Sequence, residues 1–252
     1  MIMNQGSYSY ASRDDGQGSY KVQFSYNVDL VLCIDGTKSM EPVIQMVKEN
    51  AKRLPDDILR EAAEKNKRIN SLRIRIIVFR DYREDGVHAI ETTDFLNMPE
   101  QKDAFCSAVN SIEAIGGGDE PEDGLEALAY AMASKWRWPS GGQKCRQIIV
   151  VWTDASTHKI GYGSAAPNYD PKMPKDFAEL TQWWGDEQDN PKAKMHYSSK
   201  RLLLFAPDAK FWSTISENWD NVIPVKTIAG QGMRERDYDE VLELLVNTLT
   251  VN

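Results

Sequence analysis

Apolar positions along this chain of 252 residues follow two alternating rhythms. Apolar runs within 29–35 and 146–153 read as buried parallel strands, and 71–79 reads as a further strand. Between them the apolar positions recur at helical spacing. Met40, Val43, Ile44, Val47, Ala51 and Leu54 make one stripe, and Pro55 predicts a kink or restart before the helix continues to about Lys67. The segments 99–114 and 119–136 follow as helices, the second with Leu125, Leu128, Ala129, Met132 and Trp136 on one face. A short strand is expected at 86–92. Farther on, Phe177–Trp184 reads as helix, 201–205 as strand, 209–217 as a short helix and 222–228 as strand. Tyr238, Val241, Leu242, Leu245 and Leu249 form a last amphipathic stripe. Strands separated by helices predict an α/β fold, with a doubly wound, mostly parallel sheet covered by helices on both faces.

Residues 1–20 are rich in Gly, Ser, Tyr, Asp and Gln, which bury too little apolar surface to offset the entropy of ordering. They are expected to form a loose arm. Val22, Phe24 and Tyr26 then alternate with polar residues, which predicts an edge strand over 20–26. No repeat or shift in composition marks a second domain, so 21–252 is read as one domain. The Pro-, Gly- and Tyr-rich stretch 158–176 is long for a connection without regular structure, as functional loops often are.

Composition narrows the function class. At 41 % hydrophobic residues the chain can bury a sizeable core, and its net charge of −8 argues against a chain-wide grip on nucleic acid or anionic membrane. Cys33, Cys106 and Cys145 are odd in number and far apart, and read as reduced thiols of a cytoplasmic protein. The first residues lack the pattern of a signal peptide, and no apolar run approaches a membrane span.

Three segments bring oxygen donors to the carboxyl edge of the expected sheet, where open α/β sheets bind ligands. The run Val31-Leu32-Cys33-Ile34-Asp35 is followed by Gly36-Thr37-Lys38-Ser39; the glycine-rich turn Gly116-Gly117-Gly118 leads to Asp119-Glu120-Pro121-Glu122; Val150-Val151-Trp152-Thr153 ends in Asp154. Carboxylates and hydroxyls are hard ligands suited to Mg²⁺ or Mn²⁺. With these motifs the chain resembles the von Willebrand factor type A domain, over about residues 27–250. That family carries a metal-ion-dependent adhesion site with a first motif Asp-x-Ser-x-Ser, matched here by Asp35, Thr37 and Ser39. Its third motif is matched by Asp154. Its second supplies a threonine after a glycine-rich turn, where this chain has Asp119. Thr153-Asp154-Ala155 and the Gly-Gly-Gly-Asp-x-Pro-Glu turn are similar to the A domains attached to α-kinases and their bacterial relatives. The resemblance implies a metal site of Asp35, Thr37, Ser39, Asp119 and Asp154. It also implies a non-enzymatic protein-binding module that serves a kinase, phosphatase or ATPase in a stress or defence system. An extra carboxylate at 119 would hold the cation more tightly and draw acidic partner groups less, placing more of the recognition on a rim of Asp81, His158, Tyr162 and Tyr169.

Each motif also has a plainer reading. Asp35, Thr37 and Ser39 suit the start of a helix. Asp119 suits a helix N-cap, with Pro121 in the first turn and Glu122 completing a capping box. Arg80 and Asp81 read as a surface ion pair, His158 and Lys159 as solvated loop residues, and Trp183 and Trp184 as core. His88, His158 and His196 show no ligand spacing. The rival function is a Mg²⁺-dependent phosphatase of the haloacid dehalogenase kind, whose motif Asp-x-Asp-Gly-Thr also follows a buried strand. Its nucleophilic aspartate would fall at Cys33, and a cysteine inside a buried strand without a partner base is a poor substitute.

Overall fold

Val28, Leu30, Leu32 and Ile34 of strand β1 (Ser25–Asp35) pack into one apolar cluster and Val31 and Cys33 into another. A strand apolar on both faces belongs inside a sheet that is covered twice. The computed structural model, which describes residues 25–250 apart from 118–119, 141–142, 186–189 and 233–236, has this arrangement. β1 lies between β2 (Arg68–Phe79) and β5 (Lys144–Trp152) and is parallel to both. Beyond β5 come β6 (Lys200–Ala206) and β7 (Val222–Lys226), again parallel. On the other side β3 (Ile90–Thr92) and β4 (Leu96–Met98) pair antiparallel with two parts of β2. The order β3-β2-β1-β5-β6-β7 reverses direction at β1 and β5, which makes their carboxyl ends the crevice of the sheet.

One face is covered by α1 (Glu41–Asn50), α2 (Leu54–Glu64), α3 (Lys102–Asn110) and α7 (Tyr238–Thr250), the other by α4 (Gly124–Met132), α5 (Phe177–Trp184) and α6 (Lys210–Asn218). The helices follow the expected stripes, with Val43, Ile44 and Val47 inward on α1 and Val241, Leu242, Leu245, Val246 and Leu249 on α7. Pro55 restarts the chain as a new helix. It lies in the first turn of α2, where the missing N–H would have no intrahelical partner.

Several boundaries differ from the sequence reading for physical reasons. Ser25 and Tyr26 open the central strand, paired with Arg68 and Ile69, and do not form an edge. The rest of that expected edge strand, and the arm 1–20, lie outside the described residues. The expected strand 86–92 divides into a 3-10 turn, Gly86–His88, and the short β3. The helix expected from 119 begins only at Gly124, because the backbone before it is engaged elsewhere. Glu122 N–H donates to Ser156 O and Asp123 N–H to Arg80 O, which ties the helix entrance to two strand ends. The segment 158–176 is built of turns, with no helix until α5. Among the described residues no helix is long and apolar enough to cross a membrane.

Candidate metal centre

Strand register brings the first and third motifs together. Ile34 pairs with Trp152, so the residues that follow, Asp35 and Thr153, lie side by side where both strands end. Thr153 Oγ1 donates to Asp35 Oδ2 at 2.7 Å. The other oxygen, Asp35 Oδ1, accepts from Thr37 N at 3.0 Å and Thr37 Oγ1 at 2.6 Å. Thr37 Oγ1 lies 3.3 Å from Ser39 Oγ, which donates to Asp154 Oδ1 at 2.9 Å. Asp154 Oδ2 accepts from Gly232 N at 2.7 Å. Four of the five expected ligands thus form one continuous chain of oxygens. The alternative capping role for this loop is not realised: neither the 3-10 turn Lys38–Met40 nor α1 has a side-chain hydrogen bond at its N-cap.

Two glycines let other backbone come close to this group. Gly117 has φ +73°, and a Cβ there would stand 2.8 Å from Thr37 Cβ, so the glycine-rich turn packs directly on the first motif. Gly232, at φ +61°, would drive a Cβ into Ser39 O. Asp119 lies outside the described residues. The helix that follows, α4, has Asp123 at its N-cap position, without a side-chain capping bond, and the capping role expected of Asp119 falls outside the described residues.

The electrostatics of this edge are one-sided. Asp35, Glu122, Asp123, Glu126 and Asp154 are all buried, and among the described residues none of them pairs with Lys or Arg. Burial raises the Asp35 carboxyl to about 6, with the Asp154 charge adding to it and hydrogen bonds from Thr37 and Thr153 opposing it. Glu122 is pushed up to about 9 by burial and then by the charges of Asp35, Asp85, Asp81 and Asp123. Burial likewise raises Asp123 to about 7 and Glu126 to about 8. Glu122 Oε2, Asp123 Oδ1 and Glu126 Oε2 are buried without a hydrogen-bond partner among the described residues. Buried charge without a counter-ion is costly, and a bound cation would relieve it. The donor set at Asp35, Thr37, Ser39 and Asp154 consists of hard oxygen atoms and fits a Mg²⁺- or Mn²⁺-sized ion in chemistry.

Sequence reasoning treats Glu122 as a cap and passes over Asp123 and Glu126. The overlooked signal is Glu126 itself, a carboxylate within Leu125, Ala127, Leu128 and Ala129, in a helix buried nearly all round.

The rim residues differ most from expectation. Arg80 is not at the surface. Its guanidinium is buried and donates to Gly36 O, His88 O, Glu113 O and Glu91, bracing the first motif from behind. Asp81 is also buried and faces His158, with Asp81 Oδ2 2.8 Å from His158 Nε2. His158 is therefore not a solvated residue. Its ring is stacked on Tyr162 at 3.6 Å between centroids, and the Arg83 guanidinium in turn lies 3.7 Å from the Tyr162 centroid. Tyr169 packs on Tyr82 at 5.1 Å, and its hydroxyl lies 3.4 Å from Glu126 Oε1. Trp183 and Trp184 are core, as read.

A curated relative, the alpha-protein kinase vwkA of Dictyostelium discoideum, is 26 % identical over 148 residues, which is 59 % of this chain and 21 % of that protein. The chain thus spans about a fifth of that relative's length. Among solved structures, proximal thread matrix protein 1 from the mussel byssus superposes with a TM-score of 0.50 at 12 % identity, over 90 % of this chain and 49 % of that one. The open conformation of the pilus adhesin SpaC from Lactobacillus rhamnosus GG gives 0.47 at 15 % identity, over 95 % and 32 %. The family model of the von Willebrand factor A domain matches residues 29–161, from the buried strand β1 through the glycine-rich turn to the loop that carries His158. With the doubly wound sheet and the motifs at its crevice, that match makes this chain a member of the von Willebrand factor A domain family.

Proposed function

We propose that this chain is a cation-dependent protein-binding module. The observation that carries the reading is the oxygen chain Asp35–Thr37–Ser39–Asp154 at the sheet crevice, with no Lys or Arg pairing among the described residues to balance its two carboxylates. Asp35, Thr37, Ser39 and Asp154 would hold Mg²⁺ or Mn²⁺, with Asp119 as a further ligand from the glycine-rich turn that touches Thr37. Bound there, the cation would order this edge for a partner protein while drawing acidic partner groups only weakly, because Asp119 adds a third carboxylate to its shell, and the surrounding residues position it. Ser39 and Thr37 are held by the two aspartates, and Arg80 fixes the Gly36 carbonyl. Partner contacts would come from the exposed part of this edge, where Arg83 lies over the Tyr162 ring and Val87 is exposed on the turn that follows. The kinase named in the curated relative makes a kinase the first partner to test, with a phosphatase or ATPase of a stress or defence system next.

The competing hydrolase reading needs a nucleophile two residues before Asp35. Cys33 there is wholly buried, its thiol pushed up to about 12 by burial, and its sulfur faces Ala127 O. A thiol held neutral in the core is a poor nucleophile, which favours the binding module.

A cation bound only by the folded chain at about 100 times its Kd stabilises by about 2.7 kcal/mol. For a domain of this size that corresponds to a rise in Tm of roughly 5–10 °C. Thermal melts with and without Mg²⁺ or Mn²⁺ are expected to show this rise, and Asp35→Ala should abolish it. No shift and no heat of titration with wild type would refute the reading. Turnover of phosphoesters that is lost in Asp35→Asn would favour the hydrolase.

A further inference from the structure

We propose that Asp81, Asp123 and His158 form a second cation site, separate from the Asp35 centre and suited to a transition ion of the Zn²⁺ or Mn²⁺ class. The three residues come from different elements: Asp81 follows β2, Asp123 precedes α4, and His158 lies on the loop after β5. Each offers one ligand atom, and the three atoms lie within 4.8 Å of one another. Zn–N and Zn–O bonds of about 2.0–2.1 Å place neighbouring ligands about 3.3 Å apart. His158 Nε2 and Asp81 Oδ2, at 2.8 Å, are already near that spacing.

A simple ion pair between Asp81 and His158 does not account for Asp123. Asp123 is wholly buried, and its Oδ1 has no hydrogen-bond partner among the described residues. Buried carboxylate oxygens are nearly always satisfied, so an unpartnered oxygen on a carboxylate grouped with an imidazole and a second carboxylate points to a ligand. The remaining oxygens are already committed. Asp123 Oδ2 accepts from Tyr82 N at 2.7 Å, and Asp81 Oδ1 from Arg83 N at 2.5 Å and Glu84 N at 3.1 Å. These backbone donors orient each carboxylate and leave one oxygen for an ion, as outer hydrogen bonds do in metal sites. The stack of His158 on Tyr162 fixes the imidazole plane. One nitrogen with two carboxylates suits a borderline ion, whereas Mg²⁺ prefers oxygen throughout.

The inference does not rest on the Asp35 site, and its test is kept apart from it. The full chain, stripped with chelator, is saturated with Mg²⁺ and titrated with Co²⁺ as a spectroscopic probe. Wild type is expected to take up one equivalent of Co²⁺, with visible bands of a nitrogen-ligated ion, and to release it to Zn²⁺. Asp123→Asn and His158→Gln should each lower Co²⁺ affinity at least tenfold while leaving the far-ultraviolet circular dichroism unchanged. Mn²⁺ titrated into the Mg²⁺-saturated wild type in place of Co²⁺ should show nitrogen coupling in spin-echo spectra, a readout independent of the variants and not given by Mn²⁺ on the oxygens of the Asp35 centre. Absence of Co²⁺ uptake in Mg²⁺, absence of nitrogen coupling, or unchanged affinity in both folded variants would each overturn the site. The heat of Mg²⁺ binding alone reports on the Asp35 centre, so failure of one proposal is distinguishable from failure of the other.

Discussion

Glu126 shows how one buried carboxyl makes folding depend on pH. Its Oε1 accepts from Gly161 N at 2.7 Å, and its Oε2 has no partner among the described residues. Asp123 faces it from the start of the same helix, Tyr169 from the 158–176 segment, and Tyr82 and Tyr130 lie within its field. Burial, then the Asp123 charge, raise it from 4.5 to about 8. A carboxyl with a raised folded pKa binds its proton more tightly in the native state. Its contribution is therefore complete below about pH 4.5 and is lost as pH rises through about 8. In chelator, Glu126→Gln should flatten the fall of stability across this window by up to about 1.4 kcal/mol per pH unit. It keeps the acceptor for Gly161 N. Equal slopes for wild type and variant in denaturant melts at pH 5–8 would refute the assignment. A second substitution tests the turn outside the described residues: Asp119→Thr should weaken Mg²⁺ binding in calorimetry, and unchanged affinity would leave Asp119 no part in the site. At this scale the sequence names Asp35, Thr37, Ser39 and Asp154 correctly as neighbours, because each ends a strand or opens a loop whose place the sheet dictates. Asp81, Asp123 and His158 are not legible as a group, since they are 42 and 35 residues apart and meet only through three separate elements.

Among the elements, the glycine-rich turn is the piece whose backbone decides the site. Gly116 and Gly117 both have positive φ, and Gly117 presses on Thr37. Gly117→Ala should cost about 1–2 kcal/mol from the left-handed backbone, plus the contact with Thr37, and should lower Mg²⁺ affinity by moving the first motif. Gly86, at φ +54° and with no atom within 4 Å of where a Cβ would stand, serves as the control. Gly86→Ala should show a smaller loss of stability and unchanged Mg²⁺ binding. Equal effects in denaturation and calorimetry would mean that the close approach to Thr37 has no role. The helix periods are readable because α1, α5 and α7 each bury one stripe. The start of α4 is not, because the hydrogen bonds of Glu122 and Asp123 to Ser156 and Arg80 override local helix signals.

For the molecule as a whole, stability is concentrated in β1, β5, β6 and the carboxyl part of β2, whose apolar residues pack into the clusters on both faces of the sheet and which are paired on both sides. Amides of β1 and β5 should exchange most slowly, at the rate of global unfolding, and those of 158–176 and the β3–β4 edge much faster. Fast exchange within β1, measured by hydrogen exchange and mass spectrometry, would contradict a single cooperative core. The sequence by itself determined the α/β class, the order of strands and helices and the hydroxyl-carboxylate motif, because burial imposes period and every parallel strand must end at the same edge. Only the tertiary structure decided that Arg80 and Asp81 turn inward, that Glu122 and Asp123 tie strand ends rather than cap a helix, and that His158 meets two carboxylates. Those outcomes depend on desolvation and on hydrogen bonds between residues far apart in the chain, which no local pattern encodes.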